Sequence, residues 1–385
     1  MQYDALELSK ILLTEKTVTP VKEEGFKRLK LLLEDLGFNC QIMNFSDSTN
    51  TPDVANLFAK IGNSEPNICF AGHLDVVSPG DLNSWDNDPF LPIIKDNMLI
   101  ARGTSDMKCA IAAFISAFAT YKSKHGFNQG SVSLLITGDE EGPSINGTKK
   151  MLEKLSEQKE KFSACIVGEP TAVTNVGDTI KIGRRGSISF YIKITGKQGH
   201  VAYPQLAKNP IPALNELLKS LSSLTLDQGN QFFQASNLEI VSLKSGGNGD
   251  NIIPETAEAT VNIRFNNIHS SITLMELVAS YAENIKEKFA VNCHISHHIS
   301  GEAFISNPGN FSDLVIDAIT EVTKKKPDIS TSGGTSDARF IKDYCPVIEL
   351  GLQNATAHKI NEQVAIDDIY TLSKIYENIL LKFFA

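Results

Sequence analysis

Five short segments of the chain combine histidines and carboxylates in a way that suits a divalent cation. Gly72-His73-Leu74-Asp75 follows the apolar run 67–71. A His two residues before an Asp suits an imidazole that ligates a metal through one ring nitrogen while a carboxylate orients the other. A satisfied surface His-Asp pair has the same appearance. Asp106, in Arg102-Gly103-Thr104-Ser105-Asp106-Met107-Lys108, stands directly before an apolar helical run, where it can ligate a metal or simply cap the helix. Asp139-Glu140-Glu141-Gly142 puts three consecutive acids at the end of an apolar run, an arrangement that is costly at a buried strand end unless a cation offsets the repulsion. Gly168-Glu169-Pro170 ends a third run, and His358-Lys359 follows a fourth.

Two imidazoles and three carboxylates are a donor set for a borderline metal such as zinc. A bridging carboxylate would let five residues hold two ions about 3.5–4 Å apart. Of the neighbours Glu140 and Glu141, one is then a ligand and the other a general base, and the chemistry is metal-assisted hydrolysis.

These residues need a scaffold, and the sequence supplies one. Asn67–Ala71, Ser131–Thr137, Phe162–Val167 and Cys345–Leu350 read as strands that end in polar turns, with a helix from Met107 to Tyr121 between the first two. Strands alternating with helices predict an α/β fold with a mixed, mostly parallel sheet flanked by helices. Ligands in such sheets bind past the carboxyl ends of the strands, where the His and acid segments fall. From about Lys181 the pattern changes to two-sided alternation, as in Ser187–Ile194 and Ala257–Arg264, typical of antiparallel strands with one wet face. Helices are expected over Asn209–Leu221 and Ser271–Phe289, each opened by a capping residue. The strand near Cys345 belongs with the early ones. The expected organisation is therefore a catalytic domain of residues 1–179 and 294–385 with an inserted α+β domain of residues 180–293.

At 385 residues, two structural units are the default. A net charge of −9 without an extended basic patch excludes a nucleic-acid partner, and Lys324-Lys325-Lys326 reads as a solvated surface. The longest apolar stretch, Ala110 to Ala119, is about half of what a membrane span needs. The start of the chain has early acids and no basic, then apolar, leader pattern. Six scattered cysteines with no Cys-x-x-Cys pair fit reduced thiols rather than a disulfide framework or a cysteine zinc site. A soluble, cytoplasmic protein is expected.

Taken together, the ordered motifs resemble the co-catalytic metallo-amidohydrolase family that includes desuccinylases, deacetylases, aminoacylases and glutamate carboxypeptidases. The likeness spans nearly the whole chain and rests on a His-x-Asp motif, an Asp-Met-Lys motif, a Glu-Glu-Gly motif, an acid after the third strand and a late His. It implies that His73 and Glu169 hold one zinc, that Glu141 and His358 hold the other, and that Asp106 bridges. It also implies that Glu140 is the base, that Asp75 orients His73, and that two Zn2+ bind per subunit, with Co2+ or Mn2+ as substitutes. The Asp106-Met107 peptide is expected to be cis.

Within that family, Ile182-Gly183-Arg184-Arg185-Gly186-Ser187, Gly199-His200-Val201-Ala202-Tyr203-Pro204, Asn251-Ile252-Ile253-Pro254, the segment Ser332–Phe340 and His358-Lys359-Ile360-Asn361-Glu362 look most like the desuccinylase branch. The resemblance then implies a homodimer in which His200 on the inserted dimerisation (lid) domain reaches the partner's oxyanion. It further implies substrate contacts from Arg184, Tyr203, Asn251, Arg264, Gly334 and Thr335, and cleavage of the N-acylated amino acid N-succinyl-L,L-diaminopimelate. Arg264 and Arg185 have an ordinary alternative as structural ion-pair partners on strands. Acetylornithine deacetylase or dipeptidase activity is the sibling alternative, and a non-catalytic metal-stabilised binding protein is the more distant one. Leu74, where Thr is common, and Cys109, where Gly is common, depart from the family pattern. The remaining histidines, His125, His269, His294, His297 and His298, are expected on the surface.

Overall fold

The structure, a computed structural model, describes residues 3–46, 51–246, 249–306 and 308–385. The chain divides into two compact units. One comprises Met1–Ile182, Ser306–Ser330 and Ser336–Ala385; the other comprises Gly183–Ile305 and Thr331–Thr335.

The first unit is built on an eight-stranded sheet. Its order is Asn39–Phe45, Val54–Gly62, Ser131–Thr137, Asn67–His73, Ala164–Val167, Val347–Glu349, Thr179–Lys181 and Asp328–Ser330. The four central strands, Ser131–Thr137 through Val347–Glu349, run parallel. They are also the four expected from sequence. Every residue of Asn67–His73 and of Ser131–Thr137 is buried, as continuous apolar runs covered by helices on both faces require. The helix Lys108–His125 is apolar nearly all round. Its Phe114 stacks on Phe70 of the central strand at 4.4 Å, and Tyr376 of the helix Ile366–Phe383 meets both rings edge-on at 5.7 Å. Burial of these rings fixes the start of Lys108–His125, and with it Asp106, against the sheet.

A small sheet of Ile93–Lys95, Met98–Ile100 and Gln363–Ala365 brings Glu362 next to the turn after Ile100, where Ala101 N–H donates to the Glu362 carbonyl at 3.1 Å.

The second unit is a four-stranded antiparallel sheet in the order Asn237–Ser245, Thr256–Phe265, Gly186–Thr195 and Asn292–Gly301. Alternate residues Ile188, Phe190, Ile192 and Ile194 and their partners Ala257, Ala259, Val261 and Ile263 are buried under the helices Pro210–Ser222 and Ser271–Phe289, the period-2 pattern of a sheet with one dry face. Asn209 caps the first helix by accepting from Ile211 N–H, and Ser270 caps the second by accepting from Thr273 N–H. The strand Asn292–Gly301 pairs along Gly186–Thr195, so this unit runs on to Ile305 rather than ending at 293. The segment Thr331–Thr335 also groups with it.

Candidate metal centre

Three of the expected donors, His73, Glu141 and Glu169, sit at or just past the carboxyl ends of parallel strands, Asp106 lies in the turn before the helix Lys108–His125, and the loop after the fourth strand brings in His358. His73 is the last residue of its strand and is buried. Its Nδ1 donates to the Asp75 carbonyl at 2.8 Å. Its Nε2, which carries the lone pair when the ring is neutral, faces Asp106 Oδ1 at 3.0 Å and Glu169 Oε1 at 3.6 Å. On the other side, His358 Nε2 lies 3.2 Å from Asp106 Oδ2 and 2.7 Å from Glu141 Oε1. The two oxygens of Asp106 thus face two different imidazoles, as a bridging carboxylate would. Among the described residues, two triads have donor atoms within 4.8 Å of one another: His73, Asp106 and Glu141, and His73, Glu140 and Glu169.

Helix capping does not account for Asp106. The residue before Lys108–His125 is Met107, and no side chain caps that helix. The Asp106-Met107 peptide is cis.

The donors fit a metal on chemical grounds. A lone pair on His73 Nε2 facing carboxylate oxygens is repulsive unless the ring is protonated or a cation lies between them. Two ligands about 2.0–2.2 Å from a tetrahedral zinc are about 3.4 Å apart, and the nitrogen-to-oxygen separations here run from 2.7 to 3.6 Å. The electrostatics agree. Burial alone would pull the His73 imidazolium down, yet the hydrogen bond and charge of Asp106, with Asp75 and Glu169 behind it, hold its pKa well above the ordinary value. His358 is pushed up to about 10 by Asp106 and Glu141. Asp106 is held below the usual carboxylate range: burial opposes this, but contacts with His358 and His73 outweigh it. Burial, and then the charge of Glu169, push the Glu140 carboxyl well up. The site concentrates negative charge that a bound cation would offset.

Asp75 acts differently from the expectation. The contact that orients His73 comes from the Asp75 backbone carbonyl, while its carboxylate Oδ1 lies 3.7 Å from Nδ1. The carboxylate instead accepts the N–H groups of Glu140 at 3.3 Å and Glu141 at 2.9 Å. Where the chain leaves the strand after His73, the Asp75 carbonyl lies nearer to the ring than its own side chain does. Burial pushes the Asp75 carboxyl up to about 6.

The acid run 139–141 also divides. Asp139 accepts from Ile145 N–H at 3.0 Å and Asn146 N–H at 3.1 Å, so it organises the following turn, and only two of the three acids reach the cluster.

Sequence reasoning gave no role to Glu362 or Arg102. Glu362 is fully buried and accepts from Arg102 Nη1 at 2.6 Å and from the N–H groups of Gly103, Ser105 and Asp106 at 3.0, 2.8 and 3.0 Å. Arg102 also lies over the Trp85 ring at 5.1 Å. Both residues lie in segments whose types point to the family, but their pairing across 260 positions is one that no local pattern reveals. Leu74 and Cys109 are fully buried, and neither belongs to the donor cluster.

In the second unit the structure brings together subsets of the other expected residues. His200 and Tyr203 rings lie 5.8 Å apart, and Val201 N–H donates to the Asn251 carbonyl at 3.1 Å. His200 and Tyr203 are exposed. Arg184 is buried, and its Nη1 donates to the Gly334 carbonyl at 3.0 Å, with Thr335 adjoining in sequence. Arg264 lies in register with Ser187 and Asn237. Arg185 donates to Asn237 Oδ1 at 2.9 Å, and burial followed by the charge of Arg264 lowers its pKa. Of the remaining histidines, His269 is not a plain surface residue: its Nε2 lies 3.3 Å from Asp227 Oδ2 and 3.2 Å from the Leu226 carbonyl. All six cysteines are free thiols. Among the described residues, no helix is long and apolar enough to cross a membrane.

Comparison with known proteins gives a consistent result. Residues 69–382 match the model of Peptidase family M20/M25/M40. The chain is 49% identical over 383 residues to the succinyl-diaminopimelate desuccinylase of Parvibaculum lavamentivorans, covering 100% of this chain and 96% of that protein. Among solved structures it is similar in fold to aminopeptidase PepT from Bacillus cereus (TM-score 0.80, 18% identity, 100% and 99% of the two chains covered). It is also similar to the Bacillus subtilis YXEP protein, described as a dinuclear metal-binding peptidase from the M20 family (TM-score 0.70, 16% identity, 98% and 97% covered).

Proposed function

Since the chain belongs to Peptidase family M20/M25/M40, we propose that it is a metal-dependent amidohydrolase that cleaves N-succinyl-L,L-diaminopimelate to succinate and L,L-diaminopimelate, a step of amino-acid biosynthesis. The substrate follows from relatives named succinyl-diaminopimelate desuccinylase that are 44–49% identical over the whole chain. The observation that carries the metal chemistry is Asp106, with one carboxylate oxygen toward His73 and the other toward His358.

In this reading His73, Asp106 and Glu169 would hold one ion, and Asp106, Glu141 and His358 would hold a second. Zinc suits the donors best, and cobalt or manganese can replace it. When bound, the ions would polarise the scissile carbonyl and lower the pKa of the attacking water. Glu140 takes the proton of that water as its oxygen bonds to the amide carbon, then returns the proton to the amine nitrogen as the C–N bond breaks. Asp75 holds the backbone of Glu140 and Glu141, so that one carboxylate serves as ligand and its neighbour as base.

Arg184, Tyr203, Asn251, Arg264, Gly334 and Thr335 would bind the carboxylates and polar ends of the substrate, for which Arg is suited by its fork of donors. His200 would donate to the oxyanion from the partner subunit of a homodimer. In support of the dimer, the strand Asn237–Ser245 is a sheet edge with exposed Val241 and Leu243, a surface that proteins usually cover or pair. The first unit is then the catalytic domain and the second the dimerisation domain, in a cytoplasmic enzyme.

The test is amine release from N-succinyl-L,L-diaminopimelate, run beside N-acetylornithine, with chelated and zinc-reconstituted protein. Zinc-dependent turnover of the succinyl substrate is expected. Turnover of the acetyl substrate alone would move the protein to the sibling activity, and silence on both would overturn the reading.

A further inference from the structure

We infer that Glu362, acting with Arg102, is a positioning residue that sets the register between the bridging Asp106 and the second-ion ligand His358. The inference rests on the assignment of Asp106, Glu141 and His358 as metal donors. Glu362 stands four residues after His358, and each of its oxygens accepts two donors. Oε2 takes Arg102 Nη1 and Gly103 N–H, and Oε1 takes Ser105 N–H and Asp106 N–H. The turn that ends in Asp106 is therefore wrapped around one carboxylate. Arg102 closes the loop from the other side: Nη1 also donates to the Lys359 carbonyl at 3.1 Å, and Nη2 approaches the His358 carbonyl at 3.5 Å. One ion pair thus ties the segment carrying Asp106 to the segment carrying His358, although the two residues are 252 positions apart in sequence.

The two ion sites depend on this tie unequally. His73 ends a buried strand and Glu169 follows another, so two of the three donors at their site are held by the sheet. At the other site, two of three donors, Asp106 and His358, sit on the tied segments, and His358 has a left-handed backbone (φ 63°) in an otherwise irregular stretch. Loosening the tie should therefore weaken the second site most. Loss of a group that orients a ligand typically costs 10–100-fold in metal affinity.

The test is stepwise Zn2+ binding to chelator-stripped full-length protein, by competition with a chromophoric chelator, and Co2+ absorption spectra of the same samples. In E362Q the new amide nitrogen meets N–H donors where an oxygen accepted them. The expected result is a second-site affinity 10–100-fold weaker with the first site changed less than threefold, and a Co2+ spectrum that saturates at one ion per chain under limiting metal. R102K keeps the charge and loses the fork, and the same ratio change is expected there if E362Q fails to fold. Equal weakening of both sites, or an unchanged affinity ratio, would overturn the positioning role. H358A separates the assumption from the inference: retention of both ions in H358A would overturn the donor assignment itself, whereas loss of one ion in H358A with a wild-type ratio in E362Q and R102K would overturn only the positioning.

Discussion

Replacing Asp75 by alanine separates two roles that the sequence joins in one residue. The carboxylate accepts two partly buried amides, Glu140 N–H and Glu141 N–H. Leaving a buried donor without a partner costs about 1–3 kcal/mol, so two cost about 2–6 kcal/mol. Burial has pushed the Asp75 carboxyl up to about 6, which means that its ionised form already sits at a penalty that alanine removes. The lower part of the range, about 2–3 kcal/mol, is the expected loss of stability. Activity should suffer more. The Glu140 carboxylate reaches its place through a backbone that Asp75 anchors, and a displacement of about 1 Å at a reacting group costs on the order of 100-fold in rate. Zinc at His73 should survive, because the bond that orients the ring comes from the Asp75 carbonyl, which alanine keeps. The assays are urea unfolding of metal-free protein, zinc content by mass spectrometry, and steady-state amine release. Turnover within tenfold of wild type would refute the anchoring argument. Loss of all bound zinc with unchanged stability would show that the carboxylate serves His73 instead.

Asp178 accepts the N–H groups of Val173, Thr174 and Asn175 at 2.7–3.0 Å; burial works against it, but these bonds hold its pKa below the usual carboxylate value. Its stabilisation is therefore present above the unfolded pKa of about 4 and lost as pH falls through the folded value. Asp178→Ala should lower stability by about 1–2 kcal/mol at pH 7, with the gap to wild type closing as pH falls below about 4 in urea titrations. Chelation should abolish turnover and lower the melting temperature, and zinc at about 100 times its dissociation constant should restore about 2.7 kcal/mol; a melting temperature indifferent to zinc would contradict the metal centre.

Much of the scaffold was legible because its signals are local. The apolar runs ending in His73, Thr137 and Val167 are bounded by polar turns, and the apolar stretch after Met107 has no strand-like interruption. Asp106 reads as a candidate ligand only in company, since alone it has the look of a helix cap. Less was legible where partners are distant or alternation is weak. Asn292–Gly301 carries His294, Ser296, His297 and His298 on a mostly exposed strand, so its sequence lacks the apolar alternation that marks a strand, and the domain boundary was set short of it. Glu362 lies in a family-like segment, yet its role is not legible there, because its four donors lie around residue 104 and are brought to it by the small sheet of Met98–Ile100 and Gln363–Ala365. Proximity in sequence pairs the Asp75 carboxylate with His73, whereas the loop after the strand Ser131–Thr137 offers it nearer donors.

The central claim is that Glu140 moves the proton in a hydrolysis whose metal donors are other residues. The most direct measurement is turnover of N-succinyl-L,L-diaminopimelate by Glu140→Gln, with metal content determined on the same sample. The account predicts wild-type zinc content and melting temperature with amine release reduced by at least about 100-fold, in keeping with the contribution of a positioned base. Turnover near wild type at full zinc occupancy would contradict it.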